Sequence, residues 1–205
     1  MTERRRTRAQ GGVKDTILDA AVDNFQRLGY HGTSMRDIAR DAGITVASIY
    51  HHFPSKQRIL QDIMVRVLSD VISLTRNALM RAGTDPSGQL GAVTHAWALF
   101  HTSRRAEALI GASELRSLDE VGLRLVVALR DEQERMFRDI VERGAAEGEF
   151  LTPYPQEAVR AILAMGSSIA SWYRPDGGVS PARMAERYAA LALGTVGSVR
   201  AVQPT

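Results

Sequence analysis

The sequence predicts an all-α protein with a small N-terminal domain of three helices and a larger C-terminal helical domain, about nine helices in all. Apolar residues recur at intervals of three and four through most of the chain, which is the spacing of amphipathic helices. Ser and Thr stand where these segments begin, and Gly and Pro stand between them, as helix caps and breaks require. With 205 residues and 44% hydrophobic content, the chain can bury two unequal cores.

The N-terminal domain is predicted to begin with a helix over residues 13–28. Thr33 and Ser34 then cap a second helix, which ends at Gly43, where the chain must turn with a positive φ. Thr45 follows at once and caps a third helix. Two short helices around a tight turn form a helix-turn-helix, whose second helix enters the major groove in DNA-binding proteins.

The third predicted helix has an inward and an outward face. Ile49 and Phe53 face inward, whereas short side chains at its start face outward and let the backbone approach base edges. Polar side chains and helix N-termini around them can reach phosphates, which position the helix without specifying bases. Tyr50 and His52 have a second interpretation, which is packing at the corner between the third and fourth helices. The predicted DNA contacts are Thr33, Ser34, Arg36, Thr45, Val46, Ala47, Ser48, Tyr50, His51, His52 and Lys56.

Residues 15–60 resemble the DNA-binding domain of the TetR (tetracycline repressor) family, in the segment ILDAAVDNFQRLGYHGTSMRDIARDAGITVASIYHHFPSK. The resemblance implies a transcriptional repressor that binds a palindromic, double-stranded DNA operator as a homodimer. It also implies a C-terminal domain that dimerises and binds a small amphipathic effector. Binding of that effector is expected to release the operator.

The charge distribution agrees with a basic N-terminal domain. Residues 1–60 carry ten Lys or Arg and six Asp or Glu, although the net charge of the whole chain is only +3. The run RRRTR at residues 4–8 predicts a disordered basic arm over residues 1–12, which lies along phosphates or enters a minor groove unless it is only a solvated end. We therefore place the DNA partner at the N-terminal domain.

Composition also excludes several classes of protein. Cysteine is absent, which rules out disulfides, thiolate metal sites and zinc fingers. The N-terminus lacks the apolar segment of a signal peptide, and the most apolar stretch, residues 188–199, is shorter than the roughly 20 residues that span a bilayer. We expect a cytoplasmic protein with no membrane partner, no cofactor and no metal.

The fourth helix is predicted to begin after Ser55 and to continue toward Leu79. It would belong to both the DNA-binding domain, predicted over residues 13–73, and the effector and dimerisation domain, predicted over residues 74–205. A continuous helix of this kind transmits movement from one domain to the other. Five further helices are predicted over residues 90–100, 107–116, 117 to either Gly144 or Gly148, 156–173 and 181–199.

The last two predicted helices are rich in small residues and carry apolar stripes, a composition that permits close helix packing. A helix-turn-helix usually acts as a two-fold pair. We therefore predict that these helices form a four-helix dimer interface through Ile162, Ile169, Tyr188 and Leu191. The alternative is that they only close the core of a single chain.

Three C-terminal segments are similar to the effector domain of TetR-type regulators of fatty-acid and steroid catabolism: ASELRSLD at 112–119, VALRDEQERMFRDIVERGAAEGEF at 127–150 and SWYRPDGGVSP at 171–181. This similarity implies an acyl-CoA effector. Some steroid-catabolism members carry Arg and Trp where this chain has Leu163 and Ser167, so the similarity does not extend to a steroid ring. The predicted effector-binding residues are Trp97, Phe100, His101, Glu114, Leu125, Leu129, Gln133, Met165 and Trp172.

Two other functions fit parts of the sequence. A small helical enzyme would need an acid-base or metal cluster of His95, His101, Glu107 and Glu114, but His95 and His101 are too far apart to share a helix face. Neither a phosphate-binding glycine loop nor a serine nucleophile motif is present, which favours a regulator without catalytic activity. The second alternative is a DNA-bound protein without an acyl-CoA effector. Its C-terminal aromatic residues would be ordinary core or would bind a drug or another hydrophobic molecule.

Overall fold

The computed structural model describes residues 12–199, and within them the fold is all-α, as the sequence predicts. This range contains nine α-helices and one 3₁₀ turn, Leu115–Ser117, and its β-type pairing is limited to an isolated bridge between Phe150 and Ser198. None of the described helices has the length and apolar character needed to cross a membrane. The helices are α1 Val13–Gly32, α2 Met35–Ala42, α3 Val46–His52, α4 Lys56–Arg81, α5 Pro86–Ser103, α6 Arg105–Ser113, α7 Glu120–Ala146, α8 Pro155–Trp172 and α9 Pro181–Thr195.

The chain forms two compact units. Unit 1 contains the described residues up to Val67 together with Leu109–Val126, and unit 2 contains Leu68–Ala108 and the described residues from Val127 onward. The predicted boundary between residues 73 and 74 differs from this division, because α4 leaves unit 1 earlier and a segment from the middle of the chain joins it. The predicted basic arm lies outside the described residues except for Gly12.

Unit 1 has a core to which each of its first four helices contributes apolar side chains. On α1, Ile17 is fully buried and Phe25 packs edge to face against Tyr30, with ring centroids 5.2 Å apart. Gly29 has a φ of 74°, which residues with a side chain rarely adopt, and the regular part of α1 ends there as predicted. The core is completed by Ile38, Ile49, Phe53, Ile59, Leu60, Ile63 and Met64.

The segment Leu109–Val126 is held in unit 1 by contacts with α4. Gln57 Nε2 donates to Ser117 O at 3.3 Å, and these residues are 60 positions apart in the chain. Gly122 lies against Gln61, whose side chain would be 3.4 Å from a Cβ at that position. Because these contacts join distant parts of the chain, no local sequence pattern predicted them.

In unit 2, Trp97 on α5 occupies space that Gly166 leaves on α8. A Cβ at Gly166 would lie 2.2 Å from Trp97 Cδ1, so glycine is required there. Trp97 Nε1 donates to Leu163 O at 3.4 Å, and the indole meets Phe137 of α7 edge on, with centroids 6.2 Å apart. Three helices of unit 2 are thereby packed around one indole.

The predicted dimer contacts Ile162 and Ile169 are corrected by the structure. Both side chains are buried within a single chain, Ile169 in a cluster with Tyr173 and Met184. Tyr173 Oη donates to Val179 O at 2.8 Å and fixes the connection that follows α8. Side chains that are enclosed in this way cannot also contact a second chain.

Other large apolar side chains of α8 and α9 do face outward. Trp172 is 49% exposed, and its ring is nearly parallel to that of Tyr188, with an interplanar angle of 28° and centroids 6.5 Å apart. Leu191 is 52% exposed. An interface through Tyr188 and Leu191 therefore stays a prediction that the packing of the single chain permits.

Substitution of Gly166 by Ala is expected to lower the free energy of unfolding by about 1–3 kcal/mol, because the new methyl group would overlap the Trp97 ring. Gly91→Ala is the matched control, since Gly91 lies inside α5 and, apart from its chain neighbours and the adjacent helix backbone, no atom lies within 4 Å of its Cβ position. The control should be neutral or slightly stabilising. Urea unfolding at one fixed protein concentration measures the difference, and equal stability of the two variants would contradict this packing.

Candidate nucleic-acid interface and effector site

Side-chain caps fix both sides of the turn between α2 and α3. Ser34 and Asp37 form a reciprocal capping box, in which Ser34 Oγ accepts from Asp37 N at 3.2 Å and the Asp37 carboxylate accepts from Ser34 N at 3.0 Å. The hydrogen bonds from Ser34 hold the pKa of the Asp37 carboxyl below its usual value. Gly43 adopts the left-handed conformation with φ 71°, and Thr45 Oγ1 accepts from Ser48 N at 3.1 Å. The predicted helix-turn-helix is therefore present.

The outward face of α3 is exposed to solvent. Ile49 is the one fully buried residue of this helix, and Tyr50 is 52% exposed. The rings of His51 and His52 meet edge on, with centroids 5.5 Å apart. Of the predicted DNA contacts, Ser34, Arg36, Thr45, Val46, Ala47, Tyr50 and His51 are exposed, and Ser48, His52 and Lys56 are partly buried.

A buried amide connects α1 to α2, and the sequence analysis did not identify it. Asn24 is fully buried, and its Nδ2 donates to Ala20 O and to Asp41 Oδ2, both at 2.9 Å. Arg27 reaches the same carboxylate at 3.2 Å. Hydrogen bonds from Arg40 and Asn24 hold the pKa of the Asp41 carboxyl below its usual value. The available signal was a polar residue within the apolar stripe of α1, since a buried amide needs partners.

Two predicted phosphate contacts serve the protein itself. Thr33 is buried and its hydroxyl donates to Gly29 O at 2.8 Å, which corrects its assignment to DNA. Lys56 Nζ donates to Tyr30 O and to Thr33 O, each at 2.6 Å, and lies 4.4 Å from the centre of the Tyr30 ring. Burial lowers the pKa of Lys56. Because an ammonium has three donors, one remains for a phosphate, and the Lys56 contact stays a prediction.

The predicted effector-binding residues do not all belong to one unit. Glu114 and Leu125 lie in unit 1, where Leu125 is exposed. Burial and, secondarily, the Glu114 carboxylate raise the pKa of Tyr30. The roles of Glu114 and Leu125 at an effector site stay predictions. Unit 2 contains Trp97, Phe100, His101, Leu129, Gln133, Met165 and the exposed Trp172.

Three of the predicted residues form a buried aromatic cluster on α5. The His101 ring lies 4.3 Å from the Trp97 ring and 5.4 Å from the Phe100 ring, between centroids. His101 Nδ1 is 2.8 Å from Trp97 O, and since a carbonyl only accepts, Nδ1 carries the proton. Burial lowers the pKa of His101 to about 4. The imidazole is therefore neutral near pH 7, with Nε2 as its acceptor.

Gln133 places an incompletely satisfied amide inside unit 2. The residue is 2% exposed, and its Oε1 lies 3.1 Å from Thr75 Oγ1. Its Nε2 has no hydrogen-bond partner among the described residues. Leaving such a donor unpaired costs about 1–3 kcal/mol, so buried amides usually have a partner, either protein, water or ligand. Gln133 is thus the predicted effector residue with a free polar group in the interior.

Two surface grooves occur in the described part of unit 2. One has a volume of about 430 Å³ and lies among α4, α5 and α7, and the other has a volume of about 590 Å³ and lies between α5 and α9. None of the predicted effector residues lines either groove, although Gln133 is the chain neighbour of Glu132, which does. The first groove is lined by Arg76, Leu79, Gln89, Glu132, Arg135, Met136, Asp139, Ile140 and Arg143.

Comparisons with known proteins agree with this arrangement. The family model for bacterial regulatory proteins of the tetR family matches residues 17–63, and the model for the tetracyclin repressor-like C-terminal domain matches residues 83–196. The HTH-type transcriptional repressor KstR2 of Mycolicibacterium smegmatis is 28% identical over 185 residues, which cover 89% of this chain and 90% of that protein.

Solved structures share the fold over most of the chain. A bacterial regulatory protein in the tetR family from Rhodococcus RHA1 superimposes with a TM-score of 0.87 at 27% identity, covering 93% of this chain and 100% of the other. AibR, solved in complex with isovaleryl coenzyme A and operator DNA, superimposes with a TM-score of 0.80 at 22% identity, covering 88% and 97%. At that identity, the likeness to AibR concerns the fold alone.

The protein is expected to lose stability as the pH falls from 6.5 toward 4, because of His101. In this window the unfolded chain protonates this imidazole, whereas the folded chain keeps it neutral until its pKa of about 4. The contribution of neutral His101 to the free energy of unfolding is fully present above pH 6.5. Roughly 1–2 kcal/mol of it should be lost between pH 7 and pH 5. Urea unfolding at both pH values, for the wild type and His101→Phe, isolates this contribution. The same pH dependence in both proteins would show that His101 does not cause it.

Proposed function

Since this chain belongs to the TetR family of bacterial transcriptional regulators, we propose that it is a repressor that binds a palindromic operator as a homodimer and leaves it when an amphipathic effector binds. The observation that carries the proposal is the outward face of α3, where short side chains stand beside Tyr50 and His51. The function is one of binding, without a catalytic step. Because the proposed partner is operator DNA, we propose that the protein acts in the cytoplasm.

The side chains of α3 suit entry into a major groove. Val46 and Ala47 are exposed and short, so the helix can approach base edges closely, and their methyl groups can contact thymine. Tyr50 and His51 project from the same face and can donate to phosphates or bases. The capped N-terminus of α2 at Ser34 offers backbone N–H groups to a phosphate. Phosphate contacts from these groups would hold α3 in place while its first turn contacts bases.

A palindromic operator requires two copies of α3, held one helical turn of DNA apart, about 34–36 Å. We assign the interface to the outward sides of α8 and α9. Trp172 and Leu191 are exposed there, and pairing of two copies would remove both from water. This interface replaces the one predicted through the enclosed side chains of Ile162 and Ile169.

The proposed effector is an acyl-CoA. The support is the similarity of residues 112–119, 127–150 and 171–181 to regulators of fatty-acid and steroid catabolism, together with features of unit 2 that suit an amphipathic molecule. These features are the buried aromatic cluster on α5, the free amide of Gln133 and an arginine-lined groove. AibR, which has this fold, was solved with an acyl-CoA and operator DNA.

Coupling between effector and operator is proposed to pass through α4, since this helix supplies residues to both units. Its first residue, Lys56, bonds the carbonyls of Tyr30 and Thr33, so a displacement of α4 would reach the connection between α1 and α2. An effector shifts such an equilibrium only by its different affinity for the two states. Release by 100-fold requires about 2.7 kcal/mol of coupling.

The double variant Tyr50→Ala, His51→Ala is expected to weaken operator binding at least about tenfold, because both side chains face outward from α3. The operator is obtained by repeated selection from random duplexes, and binding is followed by fluorescence anisotropy. Gln26→Ala, an exposed change on α1, serves as the control and should bind as the wild type does. Unchanged affinity of the double variant would refute the proposed contact face.

Leu191→Asp is expected to convert the dimer to monomer at micromolar concentration, because pairing would bury an unpaired carboxylate at a cost of several kcal/mol. Met80→Asp is the control, since Met80 is 78% exposed and belongs to α4, which is not one of the two helices of the proposed interface. Sedimentation velocity distinguishes the two states. If Leu191→Asp remains dimeric, the interface lies elsewhere.

Acyl-CoA thioesters are expected to release the operator, whereas free CoA and free fatty acids are not. The measurement titrates butyryl-, octanoyl- and palmitoyl-CoA against operator-bound protein and follows anisotropy, with thermal stability of the free protein as a second readout. A bound ligand stabilises the folded state by mass action, so release should accompany a higher Tm. If no thioester has either effect, the acyl-CoA proposal fails while DNA binding stands on its own evidence.

A further inference from the structure

The groove among α4, α5 and α7 combines an apolar floor with an arginine-rich rim. Its volume of about 430 Å³ falls within the range of small-molecule sites. The floor includes Ile140, which is nearly inaccessible to water, so the groove reaches the core of unit 2. The apolar members are Leu79, Met136 and Ile140, and the basic members are Arg76, Arg135 and Arg143.

The three arginines differ in their existing contacts. Arg76 forms an ion pair with Glu132, and Arg143 donates to Gln89, so both guanidinium groups already have protein acceptors. Arg135 is exposed and makes no hydrogen bond or ion pair among the described residues. Its planar fork of donors matches a phosphate group and is available to one.

The spacing along α7 favours a ligand with two separate anionic groups. Arg135, Asp139 and Arg143 recur at every fourth residue, which places them on one helix face. The two arginines are about 12 Å apart along the helix axis. Asp139 lies between them and would repel a single anion at the midpoint. Coenzyme A carries two separate anionic groups, the pyrophosphate and the 3′-phosphate, on one ribose. These groups are closer together than the two arginine backbones, so the long arginine side chains would lean toward each other to contact both.

The Gln133 amide does not line the groove, but it lies at the same contact between α4 and α7 that forms one groove wall. The ion pair of Arg76 and Glu132 joins α4 to α7 at the groove wall, and their chain neighbours Thr75 and Gln133 meet at 3.1 Å between the same two helices. Gln133 Nε2 has no partner among the described residues. A thioester carbonyl that reaches this crossing would accept a hydrogen bond from it and remove the cost of the unpaired donor.

We infer that this groove binds the coenzyme A portion of the effector, with Arg135 and Arg143 beside its two anionic groups and the Gln133 amide donating to the thioester carbonyl. The inference rests on the proposed function, in which the effector is an acyl-CoA. It adds the residues that distinguish a CoA thioester from a free fatty acid, which lacks both the separated phosphates and the thioester.

The test compares ligands that differ by one of these groups. The probes are the tightest-binding of butyryl-, octanoyl- and palmitoyl-CoA, the pantetheine thioester of the same acyl group, and the S-alkyl-CoA of the same length, which lacks the carbonyl. Titration calorimetry measures the affinity of each probe for the wild type, for the variants Arg135→Gln and Gln133→Leu, and for the control Arg81→Gln. Arg81 is exposed on α4 but does not line the groove.

Arg135→Gln should weaken binding of the acyl-CoA about tenfold and leave the pantetheine thioester within about twofold, since only the former carries the separated phosphates. Gln133→Leu should weaken the thioester about tenfold and leave the S-alkyl-CoA within about twofold, because the latter offers no carbonyl. Arg81→Gln should bind all three probes as the wild type does.

If the wild type binds the acyl-CoA and neither variant selectively weakens that binding, the groove assignment is wrong, while the proposed acyl-CoA function stands. Equal losses for the paired probes would overturn it as well, because a general disturbance of unit 2 does not discriminate between them. If the wild type binds none of the acyl-CoA probes, the proposed effector falls and this site falls with it.

Discussion

A helix of seven residues is too short to be stable by itself in water, and the proposed DNA-binding surface of this protein is such a helix. α3 buries only Ile49, because the rest of its surface faces outward. Its position therefore depends on its neighbours: Thr45 caps its start, Phe53 enters the core at its end, and the buried amide of Asn24 holds α1 against α2. The outward face of α3 can stay exposed because these contacts hold the inward side of the helix in place.

Lys56 connects that arrangement to α4. Two of its donors are used on the carbonyls that close α1 and precede α2, so the start of α4 and the support of the helix-turn-helix are one hydrogen-bonded assembly. A lysine is suited to this position because its ammonium can bind two carbonyls and still reach a phosphate. In the proposed function, phosphate contact and helix support would share this one cation, which would link operator affinity to the position of α4.

Unit 2 is packed around Trp97, and it also encloses polar side chains such as His101 and Gln133. Gly166 provides space for the indole, and His101 is kept neutral by its burial beside the same ring. In the described part of unit 2, Thr94, Glu107 and Gln133 each have a buried side-chain atom without a hydrogen-bond partner. An apolar residue of similar size would leave no unpaired donor at position 133. In the proposed function, the effector would supply a partner for the Gln133 amide.

The sequence alone determined the helices, their order, the two caps and turn of the helix-turn-helix, and the family, because each of these depends on residues close together in the chain. The helical periodicity of the sequence predicted the outward face of α3, and Tyr50 and His51 are exposed there as predicted. Only the tertiary structure decided which apolar stripe became core: Ile162 and Ile169 lie at helical spacing, as an interface would require, yet a single chain encloses them. It also decided that Thr33 and Lys56 support the protein and that Leu109–Val126 joins unit 1. These outcomes rest on contacts between distant residues, and periodicity reports which side of a helix is apolar but not what covers it.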